Sequence, residues 1–220
     1  MDPAASPGDA ALFPADAPLV LPPAQQAALR AAYAVPVRAY HHIGHVAEVL
    51  RHWVWAATHT PWQAPRETWL AVLYHDAVYV PGRSDNEAAS AALLAAHFAR
   101  WPPTEPVDVA FAQALILATA RHGSLKPADL DGLAHPDDAR RFLDCDMAIL
   151  GAPPGQFAAY DRGIAEEYRA VPRWIYRRKR RAFFRKLLGR ERIYLSDLFH
   201  AHFDAPARAN LGAAIAGGMA

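Results

Sequence analysis

The chain has 220 residues, 53% of them hydrophobic and 20% charged, and a formal net charge of +1 at pH 7. This composition is typical of an ordinary soluble globular protein that is long enough to bury a substantial core. The nearly balanced charge gives no overall attraction to nucleic acid or to a membrane, so such a partner would have to contact a local patch.

Cys145 is the single cysteine of the chain. No internal disulfide can therefore form, and a reducing environment is expected. The first residues include Asp2 and Asp9 and lack the basic region and apolar run of a signal peptide. No segment approaches the roughly 18 apolar residues that a membrane-spanning helix needs. We therefore expect a cytoplasmic protein with no membrane partner.

The pattern of prolines and apolar residues predicts an all-α protein. Residues 1–22 are rich in Ala, Pro and Asp, which predicts a mobile or extended arm. Residues 23–220 then form one helical domain. The predicted helices cover 24–34, 38–59, 65–80, 85–101, 105–122, 136–150, 154–170, 173–189 and 206–217. A weak strand is predicted only at 192–195.

Four short segments carry side chains that suit one metal site. They are Tyr40-His41-His42-Ile43-Gly44-His45, His75-Asp76, Arg121-His122 and Asp144-Cys145-Asp146. Imidazoles and carboxylates in helical contexts are ligands for Mn, Fe, Ni, Co, Zn or Mg rather than for a soft metal bound by thiolates. The sequence therefore predicts a divalent metal ion as the cofactor, and leaves its identity and number open.

The doublet His75-Asp76 follows the apolar run 69–74, which buries this helix. Two adjacent titratable side chains at the end of a buried run are costly without a partner. A metal ion that binds a neutral imidazole and a carboxylate together satisfies both. The alternative is a buried hydrogen bond between the two side chains.

Helical geometry separates Asp144 from Asp146. Two residues along a helix correspond to a rotation of about 200°, so both carboxylates cannot face one cleft. Asp146 shares its face with apolar residues such as Phe142 and Ile149, which indicates the buried side. Asp144 shares its face with Arg140 and Arg141, where an ordinary surface ion pair is expected. Asp146 is therefore the predicted ligand.

These segments resemble the HD superfamily of metal-dependent phosphohydrolases, which is named after its His-Asp doublet. The resemblance covers about residues 38–150, and the remainder is similar to an uncharacterised bacterial branch of predicted HD phosphohydrolases. It implies an HD-type helical bundle with additional C-terminal helices. It also implies the ligand set His45, His75, Asp76 and Asp146, and hydrolysis of a phosphate ester by metal-activated water.

The Tyr-His-x-x-x-His run at 40–45 is similar to one in the cyclic-nucleotide phosphodiesterases of this superfamily. That similarity implies that His45 binds metal and that His41 acts as the general acid. On one helix, residues four apart share a face, so His41 and His45 can point into the same cleft. The alternative is that both are ordinary histidines of a helix surface.

Four further residues have two interpretations each. His122 could bind a second metal or a substrate phosphate, as in the superfamily, or it could be a cationic helix C-cap. Glu87 or Asp85 could orient the attacking water, or both could cap the helix that follows. Arg83 could bind a substrate phosphate, but a plain surface arginine explains it as well.

The segment 173–192 combines many Lys and Arg residues with aromatic and aliphatic residues at helical spacing. One face of this helix is expected to pack on the domain while the basic face lies in solvent. The sequence thus predicts a phosphohydrolase for a small phosphorylated substrate such as a nucleotide. The alternatives are a nucleotide-sensing module without turnover and, less favoured, a nucleic-acid-binding protein that uses this basic segment. The sequence does not predict the oligomeric state.

Overall fold

The computed structural model describes residues 12–217 and confirms the all-α prediction, since no strand occurs in this range. The nine α-helices of the described range are α1 (Pro23–Ala34), α2 (Ile43–His59), α3 (Pro65–Tyr74), α4 (Asn86–Arg100), α5 (Val109–Thr119), α6 (Pro136–Met147), α7 (Pro154–Glu167), α8 (Arg173–Leu188) and α9 (Asp197–Ala216). Two short 3₁₀ helices cover Pro127–Leu130 and Ala148–Gly151. None of the helices between residues 12 and 217 has both the length and the apolar character that crossing a bilayer requires.

Proline and polar caps set where most of these helices begin. Proline stands at the first helical position of four of them, where its missing N–H costs nothing; these prolines are Pro23, Pro65, Pro136 and Pro154. The side chains of Asp108 and Ser196 cap α5 and α9. Each accepts the backbone N–H of the residue three positions later in the chain. These local signals explain why the helix starts agree well with the prediction in the middle of the chain.

Helix α3 is the centre of the fold. All its residues from Glu67 to Tyr74 are buried, and it packs against α2, α4, α5 and α6. A helix that is apolar on every side can be stable only inside such a shell of other helices. Its C-terminal end therefore delivers His75 and Asp76 into the interior of the bundle.

The predicted helices 38–59 and 65–80 are both shorter in the structure, and each lacks its predicted end next to a metal segment. Helix α2 begins at Ile43 rather than 38, and residues 35–42 are irregular, with a cis peptide bond before Pro36. Helix α3 ends at Tyr74 rather than 80. The backbone at 78–80 hydrogen-bonds instead to the side chains of Ser90 and Asn86, which compete with helical pairing.

The predicted strand at 192–195 is wrong, and the last helix begins at Asp197 rather than 206. Buried carboxylates take the place of a partner strand. The N–H of Ile193 donates to Asp204 at 2.6 Å, and that of Leu195 donates to Asp144 at 2.7 Å. Pro206, which was expected to open the last helix, lies inside α9.

The predicted N-terminal arm at 1–22 differs from the structure over its described part. Residues 1–11 lie outside the described residues. Between 12 and 22, the side chains of Leu12, Leu19 and Leu21 are buried in the main hydrophobic core. The prolines do keep residues 13–22 out of regular helices and strands, but the leucines bind this segment to the domain.

Asp144 joins α6 to the segment before α9. Its carboxylate accepts the N–H groups of Leu195 and Ser196, both at 2.7 Å, and the Ser196 hydroxyl at 2.6 Å. We expect Asp144→Ala to lower the free energy of unfolding by roughly 3 kcal/mol, because buried donors would lose their acceptor. Chemical denaturation would measure the change.

The matched control is Asp137→Ala on the same helix, because the Asp137 side chain is 70% exposed. That change should alter stability by no more than about 0.5 kcal/mol. Equal effects of the two substitutions would contradict a structural role for Asp144.

Candidate metal centre

Four donor groups from three helices converge in the bundle interior. His45 comes from α2, His75 and Asp76 from the end of α3, and Asp146 from α6. The two Nε2 atoms of His45 and His75 are 3.1 Å apart. Asp76 Oδ2 lies 3.5 and 3.2 Å from these nitrogens, and Asp146 Oδ1 lies 3.2 and 3.6 Å from them. We call these four residues the metal cluster.

The spacing of these atoms fits a divalent ion. Metal–ligand bonds of about 2.1 Å place neighbouring ligand atoms roughly 3.0 to 3.4 Å apart in octahedral or tetrahedral sites. The five measured separations lie between 3.1 and 3.6 Å. Three of the four residues, His45, His75 and Asp76, offer ligand atoms that all lie within 4.8 Å of one another and could hold a metal; Asp146 is not part of this group. Two imidazoles and two carboxylates match first-row divalent ions and Mg²⁺, and do not single out one of them.

A hydrogen bond orients the His75 ring for metal binding. Its Nδ1 lies 2.9 Å from the carbonyl oxygen of Val72, one turn earlier. Because a carbonyl can only accept, Nδ1 carries a proton, and Nε2 of the neutral ring then presents its lone pair to the cluster. Such a bond on the far nitrogen is the usual support for a metal-binding histidine. The His45 and His75 side chains are also nearly solvent-free, at 2% and 1% exposure.

The carboxylates and imidazoles of the cluster strongly affect each other's pKa. Burial would raise the pKa of Asp76 and Asp146, but the imidazoles beside them hold both pKa values below the ordinary range. Burial would lower the pKa of His75, but the charges of Asp76 and Asp146 raise it overall. The two buried carboxylates thus require positive charge, which either protons on the imidazoles or a divalent ion can supply.

His122 lies at the edge of the metal cluster. Helix α5 ends at Thr119, so His122 belongs to the following turn and not to the last turn of a helix, as the C-cap interpretation required. Its Nδ1 is 2.9 Å from Asp146 Oδ2, the carboxylate oxygen that does not face His45. Burial lowers the pKa of His122, but the Asp146 carboxylate raises it overall. The residue can therefore support Asp146 or reach a bound ligand.

His41 reaches the site from a loop and not from a helix face. Its Nδ1 lies 2.6 Å from Glu167 Oε2, at the end of α7, and its ring stacks on Tyr79 with centroids 4.0 Å apart. Glu167 Oε1 accepts the N–H groups of Tyr40 and His41 at 2.8 and 2.9 Å. Burial would raise the pKa of Glu167, but these hydrogen bonds and the His41 ring lower it overall. One carboxylate therefore fixes both the backbone and the imidazole of His41.

The loop after Asp76 places its predicted site residues differently. Asp85 is exposed and pairs with Arg83 through two contacts of 2.8 and 2.6 Å. The side chain of Asp85 makes no capping bond to α4. Arg83 and Glu87 line the rim of the cavity described below, and Asp85 is absent from its lining. Of the two predicted acidic groups, Glu87 is therefore the one that lines the cavity.

Asp144 faces away from the metal cluster, as the helical rotation predicted, but its environment was predicted wrongly. The residue is 1% exposed, whereas a solvated face with an ordinary ion pair was expected. Its carboxylate binds the 195–196 backbone, which lies about 50 residues further along the chain. Contacts at such sequence separation leave no trace in the periodicity of α6.

Three residues of the metal cluster, His75, Asp76 and Asp146, line a cavity of about 620 Å³. Clefts of roughly 300–1,000 Å³ are typical of small-molecule sites. His41 and His122 line the cavity as well, together with residues of α7 and α8. The wall also includes Tyr160, Tyr168, Tyr176, Lys179, Arg180 and Phe183. Most of these wall residues were assigned only to packing or to a solvated basic face.

Arg38 is a buried residue that the sequence analysis did not single out. Its guanidinium donates to the carbonyls of His41 and Asp76 at 3.0 and 2.6 Å. It also donates to the carbonyls of Ala32 and Ala77. The guanidinium thereby ties the loop of His41 to the turn that follows the His-Asp doublet. An arginine three residues before this His was the available signal, although its side-chain direction could not be read from the sequence.

The chain was compared with known proteins after this geometry was established. No protein-family model matches it, and neither a curated protein nor a solved structure does. The structure establishes the helical fold and brings the predicted metal ligands together. Membership in the HD superfamily remains an expectation from the sequence resemblance, and function is inferred from the site itself.

Removal of a carboxylate from the cluster should abolish metal binding. We expect Asp76→Ala to lose bound metal while keeping most of its helix content, because half of the anionic ligand set is gone. Elemental analysis and circular dichroism of the purified protein would measure both quantities. Asp85→Ala is the matched control, since this exposed carboxylate pairs only with Arg83 among the described residues. Stoichiometric metal in Asp76→Ala would refute the ligand assignment.

The affinity for metal should rise with pH. His75 and His122 have raised pKa values, so below those values protons occupy groups that must be neutral or displaced when an ion binds. Asp76 and Asp146 have lowered pKa values and stay ionised throughout. Titration calorimetry between about pH 6 and 8.5 should show proton release that decreases as pH rises. An affinity independent of pH would contradict this competition.

Proposed function

We propose that the protein is an HD-type metal-dependent phosphohydrolase that cleaves a phosphate ester of a nucleotide or a related small metabolite. The observation that carries the proposal is the convergence of His45, His75 and Asp76 into a group that could hold a metal, beside a cavity and with Asp146 Oδ1 3.2 and 3.6 Å from the two imidazole nitrogens. A buried set of this composition has no simpler use, because four titratable groups are costly to bury for packing alone.

His45, His75, Asp76 and Asp146 would hold the metal ion. A divalent ion at such a site polarises a phosphoryl oxygen and lowers the pKa of a water molecule, which supplies the nucleophile. Glu87 at the rim and His122 beside Asp146 are the chain's nearest groups to orient that water or a phosphate oxygen. The low exposure of the cluster strengthens each of these electrostatic interactions.

His41 is suited to protonate the leaving oxygen. Because Glu167 accepts from Nδ1, the opposite nitrogen of the ring is free to hold the transferable proton toward the cavity that His41 lines. Stacking on Tyr79 restricts the ring to one plane. These two contacts orient a proton donor without adding it to the ligand set.

The cavity also favours a phosphorylated substrate by its charge and size. Arg83, Lys179 and Arg180 line it, although the chain as a whole carries a net charge of only +1. A local group of cations near a metal site attracts anionic ligands. The volume of about 620 Å³ suits a molecule of mononucleotide size.

The central experiment measures phosphate release by the full chain after reconstitution with Mn, Fe(II), Co, Ni, Zn or Mg. Nucleoside monophosphates, cyclic nucleotides and sugar phosphates are the substrates to screen. We expect release with at least one metal, and its loss in Asp76→Ala. Tight nucleotide binding without release under every metal would instead support a sensing module.

The proton-donor role makes a separate prediction. We expect His41→Ala to keep the metal ion but to turn over poor leaving groups roughly 100-fold more slowly, as for a lost general acid. The defect should shrink for nitrophenyl phosphate, whose leaving group hardly needs a proton. His42→Ala is the matched control, since His42 is exposed and its Nδ1 only accepts the backbone N–H of Gly44. Equal losses for good and poor leaving groups would exclude this role.

A further inference from the structure

One stripe of α8 faces the cavity across from the metal cluster. Tyr176, Lys179, Arg180 and Phe183 have the spacing of a single helix face, and all four line the cavity. The sequence analysis grouped Arg180 with a solvated basic face, which is wrong. Its side chain is only 10% exposed, and its Nε donates to Asp161 of α7 at 3.0 Å. We call this stripe the α8 wall.

The α8 wall carries donor groups that the protein leaves unused. Arg180 Nη2 and the Tyr176 hydroxyl are buried and have no hydrogen-bond partner among residues 12–217. The Tyr40 hydroxyl, also in a cavity-lining residue, has none in the same range. Buried polar groups without partners are rare in proteins and are often explained by a ligand. A bound acceptor can reach these donors after a small rotation of their side chains.

The type of these groups indicates what the wall binds. Arg180 and Lys179 can only donate, and burial raises the pKa of Tyr176 to about 12, so its hydroxyl keeps its proton. Asp161 of α7 is already paired with Arg180. A nucleobase edge offers donors as well as acceptors and would leave some groups unmatched. A carboxylate or phosphate only accepts and matches the set.

A series of ring contacts connects the α8 wall to the metal cluster. The ring of Tyr40 is 4.7 Å from that of His45, and 4.7 Å from that of Tyr160. The guanidinium of Arg180 lies 4.9 Å from the Tyr160 ring. Three successive contacts therefore connect the two ends, and one ligand can span them.

We infer that the α8 wall is a second anion subsite and that the substrate is a phosphate ester with another carboxylate or phosphate at its far end. This inference rests on the proposed function only in that the first phosphate is placed at the metal cluster. The second anion binds Arg180, Lys179 and Tyr176. The subsite thereby selects substrates by the distance between two anionic groups.

Titration calorimetry with phosphonates tests the subsite without turnover, because their carbon–phosphorus bond is not an ester. Butylphosphonate and hexylphosphonate are compared, on the metal-loaded full chain, with analogues that carry a carboxylate or a second phosphonate at the far end. We expect the second anion to improve affinity at least about tenfold, as for charge-assisted hydrogen bonds. Benzylphosphonate measures the contribution of an aromatic group alone.

Two variants assign the gain to the wall. Lys179→Gln and Tyr176→Phe should each remove much of the gain while leaving butylphosphonate binding nearly unchanged. Tyr176→Phe should fold normally, because the lost hydroxyl has no partner within the described chain. Arg178→Gln removes one charge from an exposed position of the same helix that does not line the cavity, so it should preserve the gain.

Each outcome decides one point. No gain from a second anion, or a gain that Arg178→Gln reduces as much as Lys179→Gln does, refutes the subsite. A stronger gain for benzylphosphonate than for the dianions would assign the wall to an aromatic group instead. Selective dianion binding without hydrolysis of any ester would keep the subsite and refute the phosphohydrolase. Hydrolysis of an ester without any gain from the second anion would keep the phosphohydrolase and refute the subsite.

Discussion

The site depends on one buried guanidinium. Arg38, 7% exposed, donates to backbone carbonyls of the loop that carries His41 and of the turn that carries Asp76. Neither segment is helical at these carbonyls. Their buried oxygens therefore need hydrogen-bond donors from elsewhere in the protein. A single cation satisfies them together and also places positive charge beside the end of α3, where the helix dipole is negative. This contact ties the loop of His41 to the turn of Asp76, while Glu167 fixes the His41 ring itself.

Charge balance explains why the cluster suits a divalent ion. Asp76 and Asp146 have side chains 14% and 9% exposed, and each contacts both imidazoles of the cluster. Two buried negative charges are tolerated only with nearby compensation. Protons on the imidazoles can compensate these charges at low pH. The Nε2 atoms of His45 and His75 are only 3.1 Å apart, however, so protons on both nitrogens would crowd and repel each other. A divalent ion neutralises both carboxylates at once and leaves the rings neutral, which removes that conflict.

The sequence was sufficient where a residue's neighbours along one helix determine its direction. His75 and Asp76 follow the apolar run of α3, and helical rotation separates Asp146 from Asp144, so neighbours along one helix indicated which of these side chains face the metal cluster. It was insufficient where distant contacts decide. His41 is positioned by Glu167, which is 126 residues further along the chain. Arg180 is held by its hydrogen bond to Asp161 of another helix. Such pairings depend on how helices pack, which the order of residues in one helix does not encode.

The C-terminal helices supply contacts to the site that the segment with the family resemblance does not supply. Residues 38–150 contain all four donors of the metal cluster. Helix α7, however, supplies both Glu167, which orients the proton donor, and Asp161, which holds Arg180 in the α8 wall. A chain ending near residue 150 would retain the ligands but lose both contacts. The metal cluster and the contacts that position His41 and Arg180 beside it thus come from different parts of the chain.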